Sequence, residues 1–567
     1  MIRNSKVITF TPTGVSDGSD QGETFPGACT SLTNLIFNKS DKGALLARPG
    51  VLAISSLANS GFVSPSNIVI QQRIGDYVYG IASTGRFSGY DEPFCYNTQT
   101  GNYAPISGVL STNVPKTVQT TGKWAPPTMS LVATYLVITH PGAWGSNYIF
   151  WLDISNPTAP VWGAGNTSVN ALGAPPTAVG QYNNRAWYLI GNMLYFSDVL
   201  LPLSISFPGN ALTIGDATPG TAVSGLPLAT TTQGILASLL VFKKNSIWQV
   251  TGDYAVGTLA LNQLSSAFGC EAPLTISPVM EGVAFMSQDA IRYVNAGNFQ
   301  VGIYNGDLML PFLNCLEPSR ACAAYNNGIY RICLDTVLES VYTPRADYWL
   351  DTYRGKWTGP HSFPYTAVTP SGLSFLLASS SVPAEIVQSD VVVSTAAQYR
   401  DNGADYTCFL QTTNLSDSGE MAVKAIIEST IDLRVQPPGV AYTVEALSDA
   451  DQVIGSTQVE TATLQNLQNL WGNSLWGYGT WQAALSPYDH TFTLGWSAPV
   501  VYRKVNFTVS ATASGGVNIE RMFFREQVLG FTNLDFGAYA YVPPLAGALV
   551  QDSGGYVLQD NGYRILL

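Results

Sequence analysis

The stretch Arg185–Asp198 reads RAWYLIGNMLYFSD, two runs of aromatic and branched apolar residues separated by Gly191 and Asn192. Runs of this composition favour β-strands, and a Gly-Asn pair between them is typical of a two-residue hairpin turn. The stretch therefore predicts a β-hairpin.

Runs similar to the first arm of this hairpin occur seven times. Their centres are about 44 to 58 residues apart, close to the length of one β-propeller blade. We predict an all-β chain with a propeller of six or seven blades, and further hairpin turns near Lys244-Asn245 and Gln288-Asp289. The runs are Asp76–Ala82, Thr134–His140, Arg185–Ile190, Leu239–Phe242, Val283–Met286, Ile329–Cys333 and Leu373–Ala378.

Changes in composition divide the chain into four predicted segments. Residues 1–60 are rich in Gly, Ser, Thr and Pro and predict an extended docking segment, and residues 61–425 contain the propeller repeats. Residues 426–530 contain alternating runs that predict a smaller β-sandwich-like domain. Residues 531–567 predict an extended tail.

Charged residues make up 11% of the chain, against about 25% in typical globular proteins, and hydrophobic residues make up 46%. This composition excludes disorder and indicates that partner chains cover part of the surface. The net charge of −12, without any run of Lys or Arg, argues against binding to nucleic acid through its phosphates. The longest apolar runs, such as Ile235–Phe242, are shorter than the about 20 residues of a membrane-spanning helix, so none is predicted.

The cysteines are dispersed, odd in number and without a C-x-x-C pair. The first residues, MIRNSKVITFTPTG, contain no apolar signal-peptide core. Together these features predict free, mostly buried thiols in a protein made in a reducing cytoplasm. The cysteines are Cys29, Cys95, Cys270, Cys315, Cys322, Cys333 and Cys408.

Motifs for catalysis are missing from the sequence: we find no G-x-S-x-G elbow and no Walker-type phosphate loop. The scattered histidines, which lack zinc-site spacing, are expected to be structural or surface residues; they are His140, His361 and His490. Some carboxylates follow strands or turns, where they could form a glycosidase pair, but we expect them to cap turns. These are Asp198, Asp253, Asp289 and Asp335. We predict no catalytic residue, no cofactor and no metal.

Two other groups of residues each have a functional and a purely structural interpretation. Asp17, Gly18 and Asp20 superficially resemble a calcium loop but lack its full pattern, so we expect a polar loop. Trp471, Trp476 and Trp481 form a cluster with glycines between them. Their rings either pack inside the C-terminal β domain or are exposed as a sugar-binding platform or an interface anchor.

Five segments of the chain follow one another in a characteristic order: TSLTNLIFNKSDKGALLARPGV (Thr30–Val51, ending in Arg48-Pro49-Gly50), RAWYLIGNMLYFSD (Arg185–Asp198), LLVFKKNSIWQVTGD (Leu239–Asp253), GCEAPLTISPVMEGVAFMSQDAIRYV (Gly269–Val294) and YWLDTYRGKWT (Tyr348–Thr358). In this order they resemble the tail nozzle proteins of short-tailed bacteriophages, also called tail hub or packaged-DNA stabilisation proteins. One departure is Ala290, which stands where a Gly commonly follows the Ser-x-Asp turn of that family.

The resemblance implies a structural protein of a virion, located in the phage tail and made in the host cytoplasm. It implies a homohexameric ring below the portal and adaptor proteins, which retains the packaged genome and offers side surfaces to tail fibres or tailspikes. Double-stranded DNA would pass through the ring without sequence-specific binding. The alternatives are a carbohydrate-binding or glycan-cleaving propeller, acting as an adhesin or glycosidase, and a capsid decoration or scaffold protein.

Overall fold

The chain divides into two compact units, Arg48–Ala404 and a second unit made of Met1–Ala47 together with Asp405–Leu567. Strands dominate the described part of both units, and the all-β prediction is confirmed. A computed structural model describes residues 5–17, 27–38, 44–56, 67–83, 90–108, 114–116, 125–143, 147–206, 209–227, 236–304, 306–338, 341–382, 385–389, 399–415, 422–435, 440–448, 450–461, 488–513, 516–531, 557–558 and 564–565.

The first unit, Arg48–Ala404, is a β-propeller, as predicted. It contains seven four-stranded antiparallel sets of strands, which we number as blades 1 to 7. The sheet of blade 1 also includes the short strand Val114–Pro115, which pairs with Tyr90–Asn97. Blades 1 to 4, each from its inner to its outer strand, comprise Ile68–Ile74, Tyr77–Ala82, Tyr90–Asn97 and Asn102–Tyr103; Thr128–Val132, Tyr135–Thr139, Ile149–Asp153 and Val161–Ala164; Ala178–Tyr182, Arg185–Ile190, Met193–Phe196 and Ala211–Thr213; Gly220–Pro227, Leu236–Lys243, Ile247–Thr251 and Ala260–Ser265. Blades 5 to 7 comprise Ser277–Val279, Gly282–Met286, Ile291–Asn295 and Val301–Ile303; Cys322–Asn326, Ile329–Leu338, Val341–Asp351 and Lys356–His361; Tyr365–Ser371, Ser374–Ser379, Glu385–Ser389 and Val51–Ser56.

The second strand of each blade accounts for the repeat in the sequence, since each of the seven apolar runs lies there. In blade 4, Leu239 and Val241 pack into the core shared with blade 3. The alternate residues Leu240 and Phe242 pack into the core shared with blade 5. Because successive side chains of a strand point to opposite faces and both faces are buried, the strand is continuously apolar rather than alternating.

The three predicted hairpin turns are confirmed. Gly191 adopts a φ of 58°, which glycine tolerates without steric cost, between the paired residues Ile190 and Met193. The turn of blade 4 is closed by a hydrogen bond from the Lys243 amide, and that of blade 5 by one from the Ser287 amide to the Ala290 carbonyl. Ala290 is buried with a negative φ, so this turn does not require the glycine of the family pattern.

The strand Val51–Ser56 completes blade 7 by pairing antiparallel with Glu385–Ser389. One end of the propeller sequence thereby closes a sheet built from the other end, which joins the ring of blades. The compact unit accordingly begins at Arg48 and ends at Ala404, whereas the predicted propeller segment was 61–425. The difference arises because this closing strand pairs with residues more than 300 positions away, and hairpin periodicity does not reveal such a partner.

The second unit is built from two β-sheets. Phe507 in one sheet stacks on Phe524 in the other with ring centroids 4.5 Å apart, as in a β-sandwich. One sheet contains Ser5–Phe10, Leu35–Phe37, Leu45–Ala47, Ala422–Val435, Tyr488–Thr493, Val501–Tyr502 and Asn518–Phe531. The strands of the other sheet within this unit are Gly14–Val15, Ala28–Thr33, Thr407–Thr412, Ala441–Ser448, Val453–Glu460 and Val505–Thr512.

N-terminal strands are part of this second unit, although residues 1–60 were predicted to form a separate segment. Ser5–Phe10 pairs along its whole length with Asn518–Phe531, and Ala28–Thr33 pairs with Thr407–Thr412. Most of the predicted tail, 531–567, lies outside the described residues. Other short elements are the strands Arg400–Asp401, Ala404–Asp405, Val557–Leu558 and Arg564–Ile565, the α-helical turns Thr167–Asn170 and Leu310–Leu313, and the 3₁₀ turns Tyr254–Val256, Pro273–Thr275 and Pro318–Arg320.

Candidate functional site

The inner strands of the seven blades surround a central channel of about 560 Å³. Its described wall consists of amides, hydroxyls and apolar side chains, and Arg73 is the one charged residue in it. Arg73 donates through Nη1 to the hydroxyl of Ser371 at 2.6 Å and through Nε to the Gly75 carbonyl at 2.9 Å. The described wall therefore presents hydrogen-bonding groups but no carboxylate.

Hydroxyl groups on the inner strands bind backbone groups of the next blade. The hydroxyl of Thr128 accepts from the Val179 amide at 3.1 Å, and that of Ser277 accepts from the Tyr325 amide at 3.0 Å. The Thr369 hydroxyl accepts from the amide of Arg73 at 3.1 Å. Buried amides require partners, so these side chains serve the closure of the propeller and are not available for catalysis.

Two of the four carboxylates singled out from the sequence lie in turns of their own blades. Asp198 accepts hydrogen bonds from the hydroxyls of Ser204 and Ser206 at 2.8 and 2.9 Å. Asp253 caps the 3₁₀ turn Tyr254–Val256 by accepting from the Ala255 amide at 2.9 Å. Asp253 therefore caps its turn, as expected from its position after a strand, whereas the Asp198 carboxylate binds side-chain hydroxyls of the loop that follows its strand.

The other two carboxylates have cationic partners. Asp289 binds Arg292 through two hydrogen bonds of 2.6 and 3.1 Å, and this contact lowers the pKa of Asp289. Asp335 was expected to cap a turn, but it lies inside the strand Ile329–Leu338, where it is buried. There it pairs with Arg320 at 3.0 Å and accepts from the backbone amide of Arg345 at 2.8 Å. Each of the four carboxylates has its own local partner.

The three histidines lie in separate surroundings. His140 is buried and accepts from the Gly142 amide at 2.9 Å, and burial lowers its pKa to about 4. His361 is also buried, 3.2 Å from the Thr358 hydroxyl, and burial lowers its pKa well below the ordinary value. His490 is exposed and its ring contacts Phe492. Across the described ranges, no three His, Cys, Asp or Glu side chains come together as a metal site would require.

Some sequence candidates lie outside the described residues. Asp17 directly follows the strand Gly14–Val15 and Ser16, whereas Gly18 and Asp20 are not described. The cluster of Trp471, Trp476 and Trp481 also lies outside the described residues.

A buried ion pair in blade 6 was not predicted. Arg331 and Asp347 are both fully buried, with Nη2 and Oδ2 2.7 Å apart. Asp347 also accepts from Trp349 Nε1 at 2.8 Å and from the Tyr365 hydroxyl at 2.9 Å. A buried charge requires such pairing, and removal of either residue would leave the other charge buried without its partner, so the pair has a structural role in the blade. The only signal in the sequence was a charged residue on each of two neighbouring apolar strands.

An exposed apolar surface lies on blades 3 and 4, and we call it the blade 3–4 surface. Its side chains keep between 45% and 71% of their surface accessible. In the sequence, Val199–Leu201 is a short apolar run directly after the predicted hairpin. The members are Val199, Leu200, Leu201, Tyr254 and Val256.

Hydrogen bonds hold the two loops of the blade 3–4 surface side by side. The Leu200 amide donates to the Asn184 carbonyl at 2.7 Å, and the neighbouring Asn183 side chain donates to the Gly252 carbonyl at 2.8 Å. In addition, the ring of Tyr254 packs on Phe196 with centroids 5.0 Å apart. The five apolar side chains are thus fixed on one face of the propeller.

Known proteins show only distant likeness to this chain. No protein-family model matches the chain, and no curated protein matches it. Among solved structures, the β-propeller domain of the Trilobed protease from Pyrococcus furiosus is 8% identical, with 58% of this chain and 96% of that domain covered and a TM-score of 0.32.

Two further solved structures show a similar degree of likeness. Puromycin hydrolase is 14% identical with a TM-score of 0.38, and the match covers 70% of this chain but only 62% of the hydrolase. The computationally designed protein Ika8 is 12% identical with a TM-score of 0.28, and the match covers 66% of this chain and 99% of Ika8.

In the part of the chain that the structure describes, no helix is both long and apolar enough to cross a bilayer.

Proposed function

We propose that this chain is a structural protein of a virion, the subunit of the tail nozzle of a short-tailed bacteriophage. Copies assemble side by side into a closed ring, six in the proteins that the sequence resembles, below the portal and adaptor. The ring retains the packaged genome and offers docking surfaces to tail fibres or tailspikes.

The observation on which the proposal rests most directly is the blade 3–4 surface. Large exposed apolar patches mark interaction sites, and the buried centres of protein interfaces are depleted in charge. Val256, at 71% exposure, and Leu201, at 58%, have no local reason to remain in water. A neighbouring subunit that covers them removes apolar area from water, which favours association.

Four of the five segments that resemble nozzle proteins lie within the propeller unit, and the fifth, Thr30–Val51, ends at its first residues, which also supports the proposal. Arg48-Pro49-Gly50 immediately precedes the closing strand Val51–Ser56. Tyr348–Thr358 contains the turn between the two outer strands of blade 6 and the adjoining ends of both strands. A family that retains these segments in the same order is expected to retain the same closed propeller.

The DNA passage of the proposed nozzle lies between subunits, not through a propeller. A channel of about 560 Å³ has the size of a small-molecule pocket, so a duplex does not fit through it. The net charge of −12 suits a passage wall that does not bind phosphates, because each Lys or Arg contact would add salt-dependent adhesion.

The proposal assigns no catalytic residue. Asp198 and Asp253 are engaged by groups of their own turns, and Asp289 is engaged by Arg292. A glycosidase would require two carboxyl groups facing each other across a sugar. The local partners of these side chains favour a structural role instead.

A pair of matched variants tests the assembly. Val256→Asp places a charge in the blade 3–4 surface, and Leu373→Asp places one at an equally open hairpin tip of blade 7, where Leu373 is 80% exposed. We expect rings of the unmodified chain in negative-stain images and by light scattering. Val256→Asp should yield monomers and Leu373→Asp should leave the rings intact.

Depletion of the protein during phage growth tests the role. Heads that fill and then lose their DNA, with tails that end at the adaptor, support the nozzle. Particles that keep their DNA and a complete tail but fail to adsorb to cells contradict it and favour an adhesin.

A further inference from the structure

A second cavity, of about 890 Å³, lies at the face of blade 4 where its second and third strands join. We call it the blade 4 cavity. It is separate from the central channel and from the blade 3–4 surface, and it is lined by Trp248, the turn Lys244–Ser246, Gln263 and residues of the connection from blade 3. Its volume lies within the range of binding sites for small molecules.

Trp248 forms an aromatic wall of this cavity, and its neighbours fix the position of the ring. The indole Nε1 donates to the Ser246 hydroxyl at 3.2 Å. Gly215 lies so close to the ring that a Cβ at this position would be 2.3 Å from the Trp248 Cζ2 atom. Part of the side chain packs on the core shared with blade 3, and the half-buried ring contributes to the cavity wall.

Charges around the cavity are largely compensated. Asp216 binds the buried Lys243 at 2.6 Å and also accepts from the Thr218 hydroxyl at 2.5 Å. These contacts, the one with Lys243 foremost, lower the pKa of Asp216 to about 2. Lys244 forms an ion pair with Glu271. Since both lysines already have carboxylate partners, the cavity does not present the unpaired cation that a phosphate ligand requires.

The remaining polar groups of the lining suit a ligand with hydroxyls. Asn245 uses its amide oxygen to accept from Gln288 at 2.8 Å, so its amide nitrogen is the group left to donate. Gln263 donates to the Ser265 carbonyl at 3.3 Å, and its amide oxygen is left to accept. Glu317, which accepts from the Ser319 hydroxyl at 2.6 Å, adds a carboxylate to the lining.

We propose that the blade 4 cavity is a binding site for a short neutral oligosaccharide. A pyranose ring has an apolar C–H face that stacks on an indole and a rim of hydroxyls that bind amides and carboxylates, which is the arrangement found here. Polar side chains already held by their neighbours lose little freedom on binding, so the site is pre-organised. The inference does not rest on the role in a phage tail, and ring assembly can succeed or fail independently of it.

The chain provides a matched control for Trp248. Trp151 occupies the third strand of blade 2, as Trp248 does in blade 4, and is also half-buried. It too lies against a glycine, since a Cβ at Gly163 would be 2.0 Å from the Trp151 Cζ2 atom. Trp151 is not part of the blade 4 cavity. A variant of Trp151 therefore reproduces the structural cost of losing such an indole without touching the proposed site.

The experiment uses the full chain and a panel of neutral glycans that includes maltotriose and chitotriose. Binding is detected on a glycan array and measured by saturation-transfer NMR and calorimetry. We expect a hit that weakens at least tenfold in Trp248→Ala and at least fivefold in the double variant Asn245→Ala with Gln263→Ala. Trp151→Ala should bind as the unmodified chain does. Because Asn245 is exposed and both amides lie at the surface, the double variant keeps the test valid if Trp248→Ala fails to fold.

Three results would overturn the inference. One is the absence of any hit across the neutral panel at 10 mM glycan. Another is a hit whose affinity is the same in the double variant and in the unmodified chain. The third is selective binding of choline, an organic cation, which would assign the cavity to cation–π recognition by Trp248 and the carboxylates instead.

Discussion

Arg48 and Asp401, which are 353 positions apart in the sequence, form a bidentate ion pair with Nη1–Oδ1 at 3.0 Å and Nη2–Oδ2 at 2.5 Å. The Arg48 side chain is 1% exposed and that of Asp401 is 16% exposed. Asp401 also accepts from the Val51 amide at 3.3 Å, at the start of the strand that completes blade 7. The pair therefore fastens the two ends of the propeller sequence together.

Replacement of Arg48 should destabilise the propeller. Arg48→Ala leaves a largely buried carboxylate without its partner, and we expect the free energy of unfolding to fall by about 3 kcal/mol. Arg48→Lys should recover only part of this loss, because an ammonium group cannot reproduce the two parallel hydrogen bonds of the planar guanidinium. Both variants are measured by urea unfolding followed by tryptophan fluorescence and by thermal unfolding followed by calorimetry. Lys244→Ala, which breaks the exposed pair with Glu271, is the control and should cost about 1 kcal/mol or less.

Gly50 should not tolerate even a methyl group. A Cβ at this position would lie 2.0 Å from the Arg400 carbonyl oxygen, a backbone atom with no freedom to rotate away. We expect Gly50→Ala to lower the melting temperature by several degrees or to yield an insoluble chain. A Cβ at Gly495 would meet no atom of the described residues within 4 Å, so Gly495→Ala is the matched control. Equal melting temperatures for the two variants would show that the close approach of Arg400 is not required.

Local patterns were sufficient to predict the blades but not their closure. Each second strand, such as Arg185–Ile190, is a continuous apolar run because both of its faces are buried, and its turn at Gly191 is coded by two adjacent residues. The closing strand Val51–Ser56 has no such signal, since its partner is distant in sequence. Likewise, the blade 4 cavity is assembled from separate turns and loops, and spacing along the chain does not bring Trp248 and Glu317 together.

The cysteines should differ sharply in reactivity with a thiol reagent. All seven are free, and Cys315 is the one that is partly exposed. Burial raises the pKa of Cys315 to about 11 and raises that of Cys270 to about 12, so little reactive thiolate exists at pH 8. We expect at most one thiol to react slowly in the native protein and all seven to react in guanidinium chloride without reductant. Fewer than seven in the denatured chain would reveal a disulfide, and Cys315→Ser should abolish the slow native reaction.

Stability should fall in mild acid because His140 is buried in its neutral form. Burial lowers its pKa from 6.5 to about 4, so between these values the unfolded chain binds a proton that the folded chain does not. The folded state is therefore fully stable above about pH 6.5 and loses stability as the pH falls toward 4, by about 3 kcal/mol from this residue alone. His361, whose pKa is also lowered by burial, adds to the loss in the same direction. Urea unfolding between pH 4 and 7 measures the slope, which should become shallower in His140→Gln, a variant that can still accept from the Gly142 amide. His490→Gln alters an exposed ring and should leave the slope unchanged, so an equal effect of both variants would contradict the assignment to the buried histidine.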